Sequence, residues 1–88
     1  MNNKNLVKFF KAIGNERRLL ILQHLFRTKE LSVGRISELI HLSFKSTSNH
    51  LIILSGADLV QSRQESLHKF YSIKHSSFPP KFLAFFKG

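Results

Sequence analysis

A change of hydrophobic period limits most strongly what this chain can fold into. From Leu6 to Leu54 apolar residues recur three and four apart, the spacing of one helix face; from Leu59 to Ile73 the period shifts towards two, the spacing of strands. At 88 residues the chain has room for one domain, residues 1–88. Several helices followed by one pair of strands predict a fold that is mainly α with a small β-hairpin.

Punctuation residues divide the helical part. Leu6, Phe9, Phe10 and Ile13 mark a first helix over about residues 4–13, which Gly14 stops. Asn15 is a good N-cap for a second helix, and Glu16 sits favourably in its first turn. That helix carries Leu19, Leu20, Leu22, Leu25 and Phe26, too many apolar residues for a free surface, so it is central to the core. Ser32 caps a short third helix, Val33 to Ile40, and His41-Leu42 forms a tight turn. Ser43 caps a fourth helix in which Thr47, Leu51 and Leu54 form the buried stripe, with Ile53 added to it.

The strands are expected at residues 59–63 and 68–73, around a polar tip from Gln64 to Leu67. With no Gly or Asn there, the tip should be longer or looser than a two-residue turn. Pro79-Pro80 suits the first turn of a last helix, about residues 79–87.

Two short helices joined by a tight turn and followed by a hairpin are the parts of a winged helix-turn-helix, here with five helices and a two-stranded wing. In that arrangement the N-terminal half of the fourth helix enters the major groove, so it needs short hydrogen-bonding side chains. The stretch from Ser43 to His50 is polar apart from Phe44. Charge points the same way. Fourteen Lys and Arg against five acids give a net charge of +9, spread from Lys4 to Lys87, a field suited to a polyanion such as double-stranded DNA.

Lys45, Ser46, Ser48 and Asn49 are the residues expected to face the groove. Asn pairs with adenine, Lys with guanine acceptors, and Ser with either. His50 either touches a phosphate or braces the helix. Ile52, towards the outer face, either meets thymine methyls or shields the neighbouring helix. Arg63 and Lys69 flank the wing tip beside His68 and suit phosphate or minor-groove contact. Arg17, Arg18 and Arg35 are candidates for further phosphate contacts, with a structural role as the alternative for Arg18.

A family resemblance rests on these segments. The run FKAIGNERRLLIL, Phe10 to Leu22, resembles the opening signature of the ArsR-SmtB repressors. Glu30 to Ile36 resembles their third-helix start, Leu42 to Leu54 their recognition helix, and Leu59-Val60, Arg63 and Phe70 to Ile73 their wing. The register is unbroken from about Lys8 to Ile73. The resemblance implies a winged fold whose first and last helices build a homodimer, and a transcriptional repressor that releases its operator on a signal from some inducer.

Two departures bear on that signal. Metal-sensing members carry a Cys-x-Cys pair at the start of the third helix, where this chain has Ser32 and Gly34, and the chain has no cysteine at all. The last segment, PPKFLAFFKG, lacks the acidic and histidine ligands of that family's last helix, and the five histidines are scattered. No metal site and no cofactor are expected. In the recognition helix Asn49 stands for the usual Arg and Phe44 for the usual Gln.

The ends are rich in apolar residues. Leu6, Phe9 and Phe10 near the start, and Phe82, Phe85 and Phe86 near the end, are more than one small core readily absorbs, so they are expected to form a symmetric dimer interface. No triad, phosphate loop or paired carboxylates point to an enzyme. No apolar run approaches the roughly 20 residues that span a bilayer, and no signal peptide is evident, so a cytoplasmic place is expected, away from membranes. The rival reading is a winged-helix module for DNA architecture or protein assembly, without operator specificity.

Overall fold

The computed structural model describes residues 2–86. In chain order these form α1 (Asn3–Ile13), α2 (Glu16–Arg27), β1 (Leu31–Ser32), α3 (Val33–Ile40), α4 (Phe44–Gly56), β2 (Val60–Glu65), β3 (His68–Ile73), a 3₁₀ turn (His75–Ser77) and α5 (Pro80–Phe86). The five helices and the hairpin lie where the sequence placed them. Position 87, anticipated as part of the last helix, lies outside the described residues.

Four short polar side chains start four helices. Asn2, Asn15, Ser32 and Ser43 each accept a hydrogen bond from the backbone N–H three residues on, at 2.8, 3.0, 3.1 and 3.1 Å. Such a cap is worth about 1 kcal/mol, enough to set where a short helix begins. At the other end of α1, the Gly14 N–H donates to the Phe10 carbonyl at 2.9 Å. A Cβ on Gly14 would stand 3.0 Å from that same oxygen, so the close approach favours glycine.

α2 runs through the middle, burying Ile21, Leu22 and Leu25 against Ile36 and Ile40 of α3 and Leu51 and Leu54 of α4. The hairpin closes the other side with Val60, Tyr71 and Ile73. Ile53 does not join the buried stripe of α4. One residue along a helix is a rotation of about 100°, which turns Ile53 away from Leu54 and into solvent.

The wing differs from expectation in two ways. β2 and β3 pair in antiparallel register from Val60↔Ile73 to Glu65↔His68, so the turn is two residues, Ser66-Leu67, and not a looser tip. Ser66 itself adopts the positive φ, 55°, that tight hairpin turns require at their first position. The second difference is β1, which pairs with β3 (Leu31↔Tyr71, Ser32↔Phe70) and makes a three-stranded sheet in the order β1-β3-β2.

The aromatic ends are also rearranged. Phe9 and Phe86, anticipated at a dimer interface, are buried within the protomer together with Phe78. Phe9 and Phe78 meet edge to face at 5.8 Å, and Phe86 stacks on Phe26 of α2 at 4.6 Å. Folding α5 back over α2 joins these rings to the protomer's hydrophobic core. Leu6, Phe10 and Phe85 stay exposed, Phe82 is half-buried, and Val7 and Leu19 add to the apolar surface.

Candidate nucleic-acid interface

The turn between α3 and α4 is built from backbone bonds and one arginine. His41 takes the left-handed conformation, φ 55°, and its N–H together with that of Leu42 closes on the last carbonyls of α3. The Ile40 carbonyl is claimed by Arg17 Nη1 at 2.7 Å. Helix ends leave four carbonyls without partners, so this bond from α2 fixes the α3 terminus where α4 must begin.

From Ser43 onward α4 buries Thr47, Leu51 and Leu54 and turns the opposite side outward. Lys45 and Asn49 are exposed one turn apart, Ser46 and Ser48 are half-exposed beside them, and no carboxylate among the described residues lies within ion-pair distance of Lys45. The same outer surface carries Phe44 (61% exposed), Ile52 and Ile53. The structure therefore brings together four residues singled out from sequence, on one helix face, with an apolar fringe at each end.

His50 is half-buried on the flank of that face. Its Nδ1 lies 3.2 Å from Arg18 Nη1, while Arg18 Nε and Nη2 donate to the Ala12 and Lys11 carbonyls at 2.6 and 3.2 Å. The contact requires Nδ1 without a proton, so the ring is neutral with its proton on Nε2. Burial, then the Arg18 and Arg17 charges, push the His50 pKa below its ordinary value. His50 thus braces α4 against α1 and α2. Arg17 and Arg18 serve backbone carbonyls of α3 and α1, a use that the carbonyl-rich ends of two adjacent helices could have signalled.

Arg63 is not a free cation: its Nε lies 3.1 and 3.0 Å from the two Glu30 oxygens, and its Nη atoms pair with Glu30 and Glu65. The guanidinium also lies 4.7 Å above the Phe70 ring. These bonds hold the Glu30 carboxyl below its usual range and raise the Arg63 pKa. Glu30, which the sequence did not single out, ties the wing to the segment before β1. Lys69, also exposed, lies 5.5 Å from the Tyr71 ring and has no carboxylate within ion-pair distance among the described residues. Leu67 projects from the tip, 92% exposed.

Elsewhere, an apolar groove of about 340 Å³ runs between α1, α2 and α5, lined by Ile13, Leu19, Gln23, Phe82, Phe85 and Phe86. Among the described residues no three His, Asp or Glu side chains converge as a metal site would need, and no helix is long and apolar enough to cross a membrane.

Comparison with known proteins adds to this geometry. Residues 15–62 match the family described as bacterial regulatory protein, arsR family. Over 72 residues the chain is 42% identical to the transcriptional activator HlyU of Vibrio cholerae, a match covering 82% of this chain and 66% of that protein. Over 64 residues it is 36% identical to the nodulation protein NolR of Rhizobium meliloti, covering 73% of this chain and 52% of NolR. The chain thus spans just under two thirds of the length of HlyU and about half that of NolR. Among solved structures, reduced HlyU from Vibrio cholerae superposes with a TM-score of 0.79 at 36% identity, covering 98% of this chain and 85% of that one. The homodimeric winged helix-turn-helix DNA-binding domain Mb0332 from Mycobacterium bovis superposes with a TM-score of 0.82 at 26% identity, covering 96% and 76%.

Proposed function

The chain belongs to the arsR family of bacterial regulatory proteins, DNA-binding regulators of transcription, and from that premise we propose that it acts as a homodimer on a palindromic operator. The observation that carries this reading is the outer face of α4, where Lys45, Ser46, Ser48 and Asn49 stand together on a helix that Arg18 of α2 ties down through His50, while Arg17 holds the end of α3 just before it. Base readout needs hydrogen-bonding groups held in register with the groove, and a braced helix supplies that.

One such helix reads only a few base pairs. Two of them, spaced by about one turn of duplex, give useful specificity, and the spacing comes from a fixed interface between protomers. The exposed Leu6, Val7, Phe10 and Phe85 on α1 and α5 are the surface for it, and the structural neighbour Mb0332 is described as homodimeric. Where the operator overlaps a promoter, the bound dimer excludes polymerase, which makes repression the expected direction. The site of action is the cytoplasm, where bacterial DNA lies. With no cysteine, the chain has no thiol switch and no thiolate metal ligand, so any inducer acts through other chemistry.

Selection from a random duplex pool followed by footprinting tests the proposal. One palindromic sequence protected over two half-sites is the expected result. Broad protection without sequence preference would make this an architectural protein, and no protection would make it an assembly module.

A further inference from the structure

The wing tip is built in a way that its sequence neighbours do not explain. Tight two-residue turns are ordinarily filled by Gly, Asn or Asp, which tolerate the backbone and keep the tip wet. Here Ser66 accepts the left-handed conformation, and the second position is Leu67, the most exposed of the large apolar residues among those described. The other outward positions of the wing, Gln61, Ser62, Gln64, Glu65, His68 and Lys69, are all polar.

Leu67 stands on strands that are paired up to the turn. Register is kept to the last pair, Glu65↔His68, and Arg63 joins Glu65 on the wing to Glu30 beside β1. Arg63 is drawn towards Glu30 and Glu65, with half of its side chain still exposed. The wing of this DNA-binding domain thus ends on an apolar point with Lys69 as the cation beside it.

Resting on the DNA-binding reading above, we infer that Leu67 enters the minor groove beside each half-site and packs against the floor of A·T pairs. The chemistry is selective. A·T and T·A pairs present only acceptors in the minor groove, whereas a G·C pair adds the guanine 2-amino group, which occupies the space and needs a polar partner. Leucine is among the side chains that minor-groove proteins insert against bases. Lys69, close to the tip on the facing strand, supplies charge towards the phosphates on either side of the groove.

The test uses the full chain and a duplex enriched from a random pool by the protein itself. Flanking A·T pairs are replaced by G·C, which adds the amino group, or by inosine·C, which alters the major groove but leaves the minor groove like A·T. For the unaltered protein, G·C flanks should weaken binding about tenfold and inosine·C flanks should restore it. Leu67→Ala should lower affinity for the enriched duplex about five- to tenfold, lose the response to G·C, and bind scrambled duplex unchanged, with an unaltered melting temperature. If Leu67→Ala binds the enriched duplex like the parent, or if inosine·C weakens binding as much as G·C, the wing-tip assignment is wrong while DNA binding stands. Failure to enrich any duplex would overturn both.

Discussion

Arg18 and His50 meet 3.2 Å apart, and the guanidinium that reaches the recognition helix also holds the last carbonyls of α1. One side chain therefore joins the helix proposed to face DNA to a helix proposed to face the partner protomer. The join holds only while Nδ1 of His50 can accept.

This sets a pH dependence with a definite sign. The folded-state pKa of His50 is depressed, by burial first and by Arg18 and Arg17 next. The contribution is fully present above the unfolded-state value of about 6.5 and is lost as pH falls below it, because the unfolded chain then binds the proton more readily. Stability and specific DNA binding should both fall between pH 7.5 and 5.5. His50→Gln, which keeps an acceptor and cannot titrate, should flatten much of that fall. A parent protein that binds its operator more tightly at pH 5.5 than His50→Gln does would mean that the protonated ring contacts a phosphate instead.

The outer face of α4 supplies the second prediction. Lys45→Ala and Asn49→Ala should each weaken specific binding by about 1–3 kcal/mol, as lost base contacts do, with melting temperature unchanged. Titration of operator and scrambled duplexes separates the roles. Equal losses on both would show phosphate contacts and no base readout.

Thr47 carries the third. Its side chain is fully buried in α4, and Oγ1 has no hydrogen-bond partner among the described residues. A buried hydroxyl without a partner costs about 1–3 kcal/mol, so Thr47→Val should stabilise the protein by about 1 kcal/mol in urea unfolding. A destabilised variant would mean that Oγ1 is satisfied in solution by a backbone carbonyl or a water.

The fourth concerns the dimer. Phe82 is half-buried against Phe9 and helps hold the protomer, so the exposed Phe85 (74%) and Phe10 (50%) are the cleaner positions to alter. Phe10→Asp with Phe85→Asp should sediment as a folded monomer, because burying unpaired carboxylates in an apolar interface opposes association. Operator specificity should vanish while weak, salt-sensitive binding to any duplex remains. A variant that still sediments as a dimer would place the interface elsewhere.

Much of the fold was legible in the residues because helix boundaries here are local chemistry. Asn15, Ser32 and Ser43 mark starts that need only a side-chain oxygen and an N–H three residues on. The face of α4 was legible for the same reason, since Thr47, Leu51 and Leu54 set its inward direction. What escaped depends on distant partners. Arg63 looked like a free cation because Glu30 lies 33 positions away, and Phe9 and Phe86 looked surplus because the pocket that takes them forms only when α5 folds over α2. β1 was too short to show any period. The wing turn was misjudged because Ser66 takes a conformation that its residue type seldom adopts.

β1 has a consequence for the spelling of an operator. Ser32 is at once the strand residue opposite Phe70 and the cap on α3, so the sheet and the helix pair share an amino acid. On the proposed mode of binding the protein is then a caliper, and this shared residue sets the distance along the duplex from the α4 contact to the wing contact. Inserting one base pair between those contacts, out of the roughly 10 that complete a turn, moves one jaw off its mark, and the loss should rival that of a wrong base within the half-site.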